Sequence, residues 1–249
     1  GIATGNGYSG GRGEGPASWE SQQETDIQKA VEKARRLLME EGVPDAHIHV
    51  EMHERQKGIA RDIAAETKKG YAAVVVGRKG VSRIRDLVMG SVSAKLLEKL
   101  TFVPLIVVGR NAGAQRALVA LDRSENSWRA LEFAARMLGG TDWDVTLASV
   151  VRGDVTACIE EAQSAMAEVF ERGAERFVKS GTARERIATR LISGAQSRAA
   201  VLVQKADQGG FGTIVAGRRG LSRVKDFFIG RVSNKVIQLS RDQAVWVVS

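Results

Sequence analysis

Cysteine, proline, histidine and aromatic residues are all scarce in this chain of 249 residues, which has one cysteine, three prolines, three histidines and 5% aromatics. A lone thiol, Cys158, can close no internal disulfide, so the sequence predicts a reducing, cytoplasmic setting. No histidine follows His53, which leaves no partner for a Cys–His pair in the second half. No apolar run approaches the ~20 residues that cross a bilayer, and Gly1 to Gly15 has neither the basic head nor the apolar centre of a signal peptide. A membrane partner is therefore not expected. Concentrated positive charge is missing too. The formal charge of +8 divides into 17 Lys/Arg against 14 Asp/Glu over residues 1–110, and 20 against 15 over residues 111–249. Stretches such as Glu32 to Arg36 mix both signs. A dedicated polyanion binder gathers its basic residues, so nucleic acid is not an expected partner. What the chain does have is 43% hydrophobic residues, enough for real cores and too many for a disordered chain.

The chain also has an internal repeat. From Gly77, GRKGVSRIRDLVMGSVSAK aligns with GRRGLSRVKDFFIGRVSNK from Gly217 at a constant offset of 140, with 10 of 19 positions identical. Both stretches follow an apolar run, Ala72 to Val76 and Thr213 to Ala216. Both end near another, Val103 to Val108 and Ala244 to Val248. Two copies of one unit are expected, a first domain over 1–110 and a second over 111–249.

In the second copy, strand-length runs alternate with helical periodicity. Strands are expected at Ala117–Leu121, Val145–Val151, Arg186–Ile192, Thr213–Ala216 and Ala244–Val248. Helices are expected between them, through Trp128, Leu131, Ala135 and Leu138, over about Asp154–Lys179, over Ser197–Asp207 and over Val224–Ser240. Continuously apolar strands alternating with helices predict an α/β fold: open parallel five-stranded sheets in tandem, with helices on both faces. The first copy is incomplete. Its opening strand and helix would precede Gly1, and the region of its second strand is glycine-rich, with 7 glycines among residues 1–15. A helix is expected from about Gln23, stopped by Gly42, then a strand over about His47–Met52 and a helix over Gly58–Lys69. A sheet without its first strand leaves a gap of about two inter-strand spacings of ~4.8 Å each. The chain is expected to lack part of the native first domain.

Each copy leaves its fourth strand through Gly-x-x-Gly, nine residues, then a glycine opening a helix: Gly77, Gly80 and Gly90 in one, Gly217, Gly220 and Gly230 in the other. Glycines let a backbone approach an anion closely. The helix start offers unpaired N–H groups and the positive end of a dipole. Ser91, Ser93 and Ser233 add hydroxyl donors, and Arg78 and Arg218 add charge. Phosphate binding suits this arrangement beyond the carboxyl ends of the strands. An ordinary duplicated turn would also use these glycines.

The G-x-x-G-x9-G-S pattern, with Val119-Ala120-Leu121-Asp122-x-Ser124-Glu125 opening a copy, resembles the universal stress protein family in tandem form. The resemblance covers 117–249 and most of 24–110. It implies the adenine nucleotide alpha hydrolase-like fold and a stress-response sensor or adaptor that binds ATP or AMP, with Mg accompanying ATP. Members without the motif bind no nucleotide. Carried onto this chain, the resemblance makes Gly77, Arg78, Gly80, Gly90, Ser91, Val92 and Ser93 the phosphate and ribose cradle of copy one. Gly217, Arg218, Gly220, Gly230, Arg231, Val232 and Ser233 play that part in copy two, with Asp122 beside the nucleoside. Arg231 departs from the pattern, which has a small hydroxyl residue there; its guanidinium would either block the pocket or pair with phosphate. Copy one lacks the strand that supplies the aspartate, yet keeps Ser91, and is ranked the better binder in an intact protein. Nucleotide is expected to order the loops Val81–Met89 and Leu221–Ile229. The family's closing strand pairs with a counterpart in another unit. The closing strands here, with Trp246 on the second, are accordingly expected to lie adjacent as an intramolecular pseudo-dimer. A homodimer and an unidentified protein partner are also implied.

Nothing nominates a strong catalyst; a nucleotide-free interaction module and a weak ATPase are the alternatives. His47, His49, Glu51 and His53 would share one face of a strand, a spacing seen in metal sites, but they are read as the wet side of an edge strand and no metal is assigned. Cys158, beside Glu160 and Glu161, is read as structural filler because nearby carboxylates disfavour a thiolate.

Overall fold

The computed structural model describes residues 16–78, 89–151, 156–193, 197–220 and 229–249, with the side chains of 16–24 and 156–158 outside that set. The expectations for residues 1–15, for Gly80, for the Cys158 side chain and for nearly all of the loops 81–89 and 221–229 lie outside the described residues. The chain divides into two units, 1–62 and 63–249.

In the first unit, α1 (Pro16–Glu40) contains the helix expected from Gln23. Gly42 ends it with a left-handed φ of +88°, as Gly42 N–H donates to Met39 O and Val43 N–H to Leu38 O. The strand expected over His47–Met52 does not form. A 3-10 turn, Asp45–His47, leads instead into irregular chain. A strand needs a neighbour to satisfy its backbone, and among the described residues no strand pairs with this segment. The shared face proposed for His47, His49, Glu51 and His53 disappears with the strand. His53 Nε2 simply lies 3.1 Å from Glu51 Oε2 at the exposed surface.

The chain then turns into α2 (Ile59–Glu66). The Asp62 carboxylate accepts the N–H groups of Gln56, Lys57 and Gly58, and these bonds hold it below the usual carboxylate range. A depressed carboxylate contributes stability above its unfolded pKa of ~3.9 and loses it as pH falls through the folded value. Asp62→Asn is therefore expected to flatten the acid limb of the unfolding profile, read by circular dichroism between pH 5 and 2.

The second unit is organised by one sheet. Its elements are β1 (Val74–Gly77), α3 (Ser91–Lys99), β2 (Leu105–Val108), β3 (Arg116–Ala120), α4 (Glu125–Leu138), β4 (Asp144–Val150), α5 (Thr156–Lys179), β5 (Ile187–Ile192), α6 (Arg198–Gln208), β6 (Thr213–Gly217), α7 (Arg231–Leu239) and β7 (Ala244–Val248). Among the described residues the strand order is β1-β2-β7-β6-β3-β4-β5. Every neighbouring pair is parallel except β2–β7. The second copy thus contributes its five expected strands and the first copy two. The helix expected from Val224 begins at Arg231, immediately after Gly230, and 224–228 lie outside the described residues.

Burial follows from position. β6 and β7 are interior strands covered on both faces and are buried at every residue, which is why their sequences read as unbroken apolar runs. Leu131, Phe177, Leu147 and Val119 are fully or almost fully buried between the sheet and α4 and α5. At the other extreme β1 is the sheet's outer strand, and Val75 is 63% exposed.

The two copies meet along β2 and β7, antiparallel through Leu105 opposite Val247, Ile106 opposite Trp246 and Val107 opposite Val245. The closing strands therefore lie adjacent, as expected. Trp246 meets Phe133 edge to face at 5.7 Å, binding the seam to the core of the second copy. Beyond β2 the chain stays on this seam, where Asn111 N–H donates to Asp242 O at 2.9 Å and Arg110 pairs with Asp242.

Candidate functional site

The carboxyl ends of β3 and β6 bring the second copy's motif together. Gly217 closes β6 against the start of α4, where a Cβ at 217 would fall 2.5 Å from the carbonyl carbon of Asn126 and 2.7 Å from Ser127 N. Only glycine permits this approach. Three residues on, a Cβ at Gly220 would fall 2.4 Å from Asp122 Oδ2, so the loop backbone lies directly against that carboxylate. The chain returns at Gly230, whose N–H donates to Arg218 O at 2.8 Å. A Cβ there would stand 3.3 Å from Arg218 O and 3.5 Å from Gly220 N. Asp122, Gly217, Gly220 and Gly230 therefore converge on the N-terminus of α7.

That N-terminus lacks a side-chain cap. Ser124 caps α4 by accepting from Ser127 N–H, and Ser197 caps α6 by accepting from Ala200 N–H. Gly230 and Gly90 make no side-chain cap for α7 and α3. Among the described residues, no side chain caps the first-turn amides of Arg231, Val232 and Ser233, or of Ser91, Val92 and Ser93, the groups that a helix start leaves without an intrahelical partner. Both helices open in the same conformation, with φ, ψ of −66°, 149° at Gly230 and −65°, 150° at Gly90. Not every amide is available: those of Gly90 and Gly230 already donate to Arg78 O and Arg218 O.

The serines divide into two kinds. Ser93 and Ser233 are buried and donate their hydroxyl protons to Gly77 O and Gly217 O at 2.9 and 2.6 Å. Their single protons tie helix to strand end, so the hydroxyls hold the loop rather than offer a donor to phosphate. Ser91 and Arg231, the first residues of α3 and α7, are exposed, and Val92 and Val232 are partly buried behind them.

Arg78 and Arg218 reach the other copy. Arg218 is 3% exposed and donates from Nη1 to Leu100 O at 2.9 Å and from Nη2 to Leu97 O, both in the other copy. Arg78, 5% exposed, donates from Nη1 to Ile237 O, again in the other copy. Burial pushes both guanidinium pKa values down, that of Arg218 to about 10. The charge expected near phosphate is instead placed at two helix C-termini, where a cation complements the dipole.

At the rim, Asp122 Oδ1 accepts Ser124 Oγ–H at 2.6 Å and Ser124 N–H at 3.2 Å. Between them sits Arg123 with φ +63°, the only non-glycine residue in the left-handed region among the described residues. No sequence cue marks it, because arginine is not a residue that favours this conformation. Arg123 is exposed at this corner, while Asp122 before it is half-buried. Arg123→Gly is expected to raise stability by about 1 kcal/mol, measured as a higher midpoint in scanning calorimetry.

In copy one, Gly77, Gly90, Ser91, Val92 and Ser93 repeat this arrangement at the ends of β1 and α3. No described strand lies beyond β1 to bring a carboxylate opposite them. The phosphate end is present there and the aspartate wall is not.

A universal stress protein from Archaeoglobus fulgidus is 23% identical with a TM-score of 0.56, covering 90% of this chain and 78% of that one. A structure assigned to the same family from Pseudomonas aeruginosa is 15% identical with a TM-score of 0.60, covering 89% and 77%. A universal stress protein in complex with cAMP is 21% identical with a TM-score of 0.45, covering 54% and 97%. No curated protein sequence matches the chain. Two stretches, residues 8–109 and 113–249, match the universal stress protein family. The repeated glycine motif, the parallel sheet and these two matches together place the chain in the universal stress protein family.

Proposed function

We propose that the second copy binds an adenine nucleotide, ATP or AMP, with its phosphates on the uncapped N-terminus of α7 and its ribose beside Asp122. The observation that carries the reading is the contrast between capped and uncapped helices: Ser124 and Ser197 close α4 and α6, whereas among the described residues no side chain caps α7 after Gly230. An anion supplies what the helix start lacks. Asp122 Oδ2 lies against Gly220 and suits the hydroxyl donors of a ribose. Arg231, exposed at the first position of α7, opposes the helix dipole when no anion is bound and pairs with phosphate when one is. Among the described residues the first copy shows the phosphate end alone, which favours the second copy as the nucleotide site. Mg would accompany ATP through its phosphates.

The protein acts in this reading as a cytoplasmic sensor or adaptor, with domains over 1–110 and 111–249 forming a pseudo-dimer about the β2–β7 seam. The pairing of Ile106 with Trp246 supports that arrangement. The single cysteine suits a reducing compartment. Titration calorimetry with ATP, AMP and inorganic phosphate tests the reading. Saturable heat with ATP or AMP and weaker heat with phosphate is expected; no heat at millimolar nucleotide would favour a nucleotide-free interaction module. Phosphate release from ATP above a buffer control would instead favour a weak ATPase.

A further inference from the structure

The arginines that sequence places at the phosphates carry a different inference. We propose that Arg78 and Arg218 form a reciprocal clamp that couples the anion-binding helix of each copy to the loop of the other. It rests on the proposed function and adds regulation to the same site.

Each arginine follows the glycine that ends a strand, Gly77 or Gly217. Its carbonyl fixes the cap of its own copy's helix, since Gly90 N–H donates to Arg78 O and Gly230 N–H to Arg218 O, both at 2.8 Å. Its guanidinium grips the far end of the other copy's helix. Arg218 holds Leu97 O and Leu100 O at the end of α3, and Arg78 holds Ile237 O near the end of α7. Positions 97 and 237 are equivalent under the 140-residue offset, so the two contacts obey the internal symmetry.

Each short helix is therefore tied at both ends. α7 is bounded at its start by Arg218 and at its last turn by Arg78; α3 has the same restraints exchanged. A nine-residue helix spans only ~14 Å and moves as a rod. An anion seated on the first turn of α7 presses on a helix whose last turn rests on the other copy's loop. Both ligands, anion at the start and guanidinium at the end, favour the same dipole. Coupling of this kind is reciprocal.

The two arms differ. Arg218 satisfies two carbonyls, whereas Arg78 satisfies one and leaves Nε and Nη2 buried without a partner among the described residues. Removing Arg78 therefore costs the fold little, and it is the arm to test. It lies in copy one, about the length of α7 away from the proposed nucleotide site.

The experiment compares wild type, Arg78→Met and Arg78→Lys in the full chain. Hydrogen exchange without nucleotide and ATP titration are measured on each. In Arg78→Met, the α7 amides that bond within the helix, Asn234 N–H to Gly230 O among them, are expected to exchange at least three-fold faster, with α4 and α6 unchanged. ATP affinity falls by a similar factor, and Arg78→Lys lies between. Exchange in α7 equal to wild type, or raised equally in α4 and α6, overturns the clamp. Failure of wild type to bind ATP overturns the proposed function instead, and the nucleotide-free exchange still decides the clamp.

Discussion

Gly230→Val is expected to lower ATP affinity by at least 100-fold, whereas Gly90→Val leaves the second-copy site within a few-fold of wild type. A side chain at 230 packs tightly against backbone. Its Cβ would stand 3.3 Å from both Arg218 O and Arg219 Cα, and 3.5 Å from Gly220 N. The branch of valine would then cover the amides of 231–233 that no side chain caps. Two charge-assisted bonds from such amides, at about 1.5–3 kcal/mol each, correspond to a loss of that size. Calorimetric titration of the two variants reads it directly. If Gly90→Val abolished binding and Gly230→Val did not, the phosphate loop of the first copy would be the working one.

Gly109→Ala is expected to destabilise the chain by about 3 kcal/mol, the upper end of what one forced methyl usually costs. A Cβ at 109 would fall 2.4 Å from both Asp242 O and Gln243 O. Those atoms are backbone, on the seam where Asn111 N–H also donates to Asp242 O, so they cannot swing aside as a flexible side chain would. Relief requires the β2–β7 pairing to open locally. For a unit of this size the midpoint should fall by roughly 6–12 °C, read by scanning calorimetry. An unchanged midpoint would show that the seam contributes little to stability.

The second copy was legible because four of its five strands are interior. Covered on both faces, β6 and β7 must be apolar throughout, and runs such as Thr213 to Ala216 declare themselves. The segment after His47 was misread for the converse reason. Its composition permits a strand, but a strand is a property of two segments, and among the described residues none pairs with it. At the site, glycine spacing located Gly217, Gly220 and Gly230, because close backbone approach leaves a residue-level trace.

Hydroxyls and charges leave none. Ser93 and Ser233 look like phosphate donors until their bonds to Gly77 O and Gly217 O are seen. Arg78 and Arg218 look like phosphate cations until their burial against the opposite copy is seen. One signal was present: both copies keep arginine at the same offset as the helix ends it grips. Arg123 had no signal, since its left-handed φ comes from the corner at the end of β3 and not from its residue type.

Amide hydrogen exchange of the full chain with and without saturating ATP reaches the central claim most directly. Slowed exchange at Arg231, Val232 and Ser233, with Gly230 already slow in both states through its bond to Arg218 O, is the result expected here. Unchanged exchange at those three amides, under conditions where ATP is bound, would contradict it.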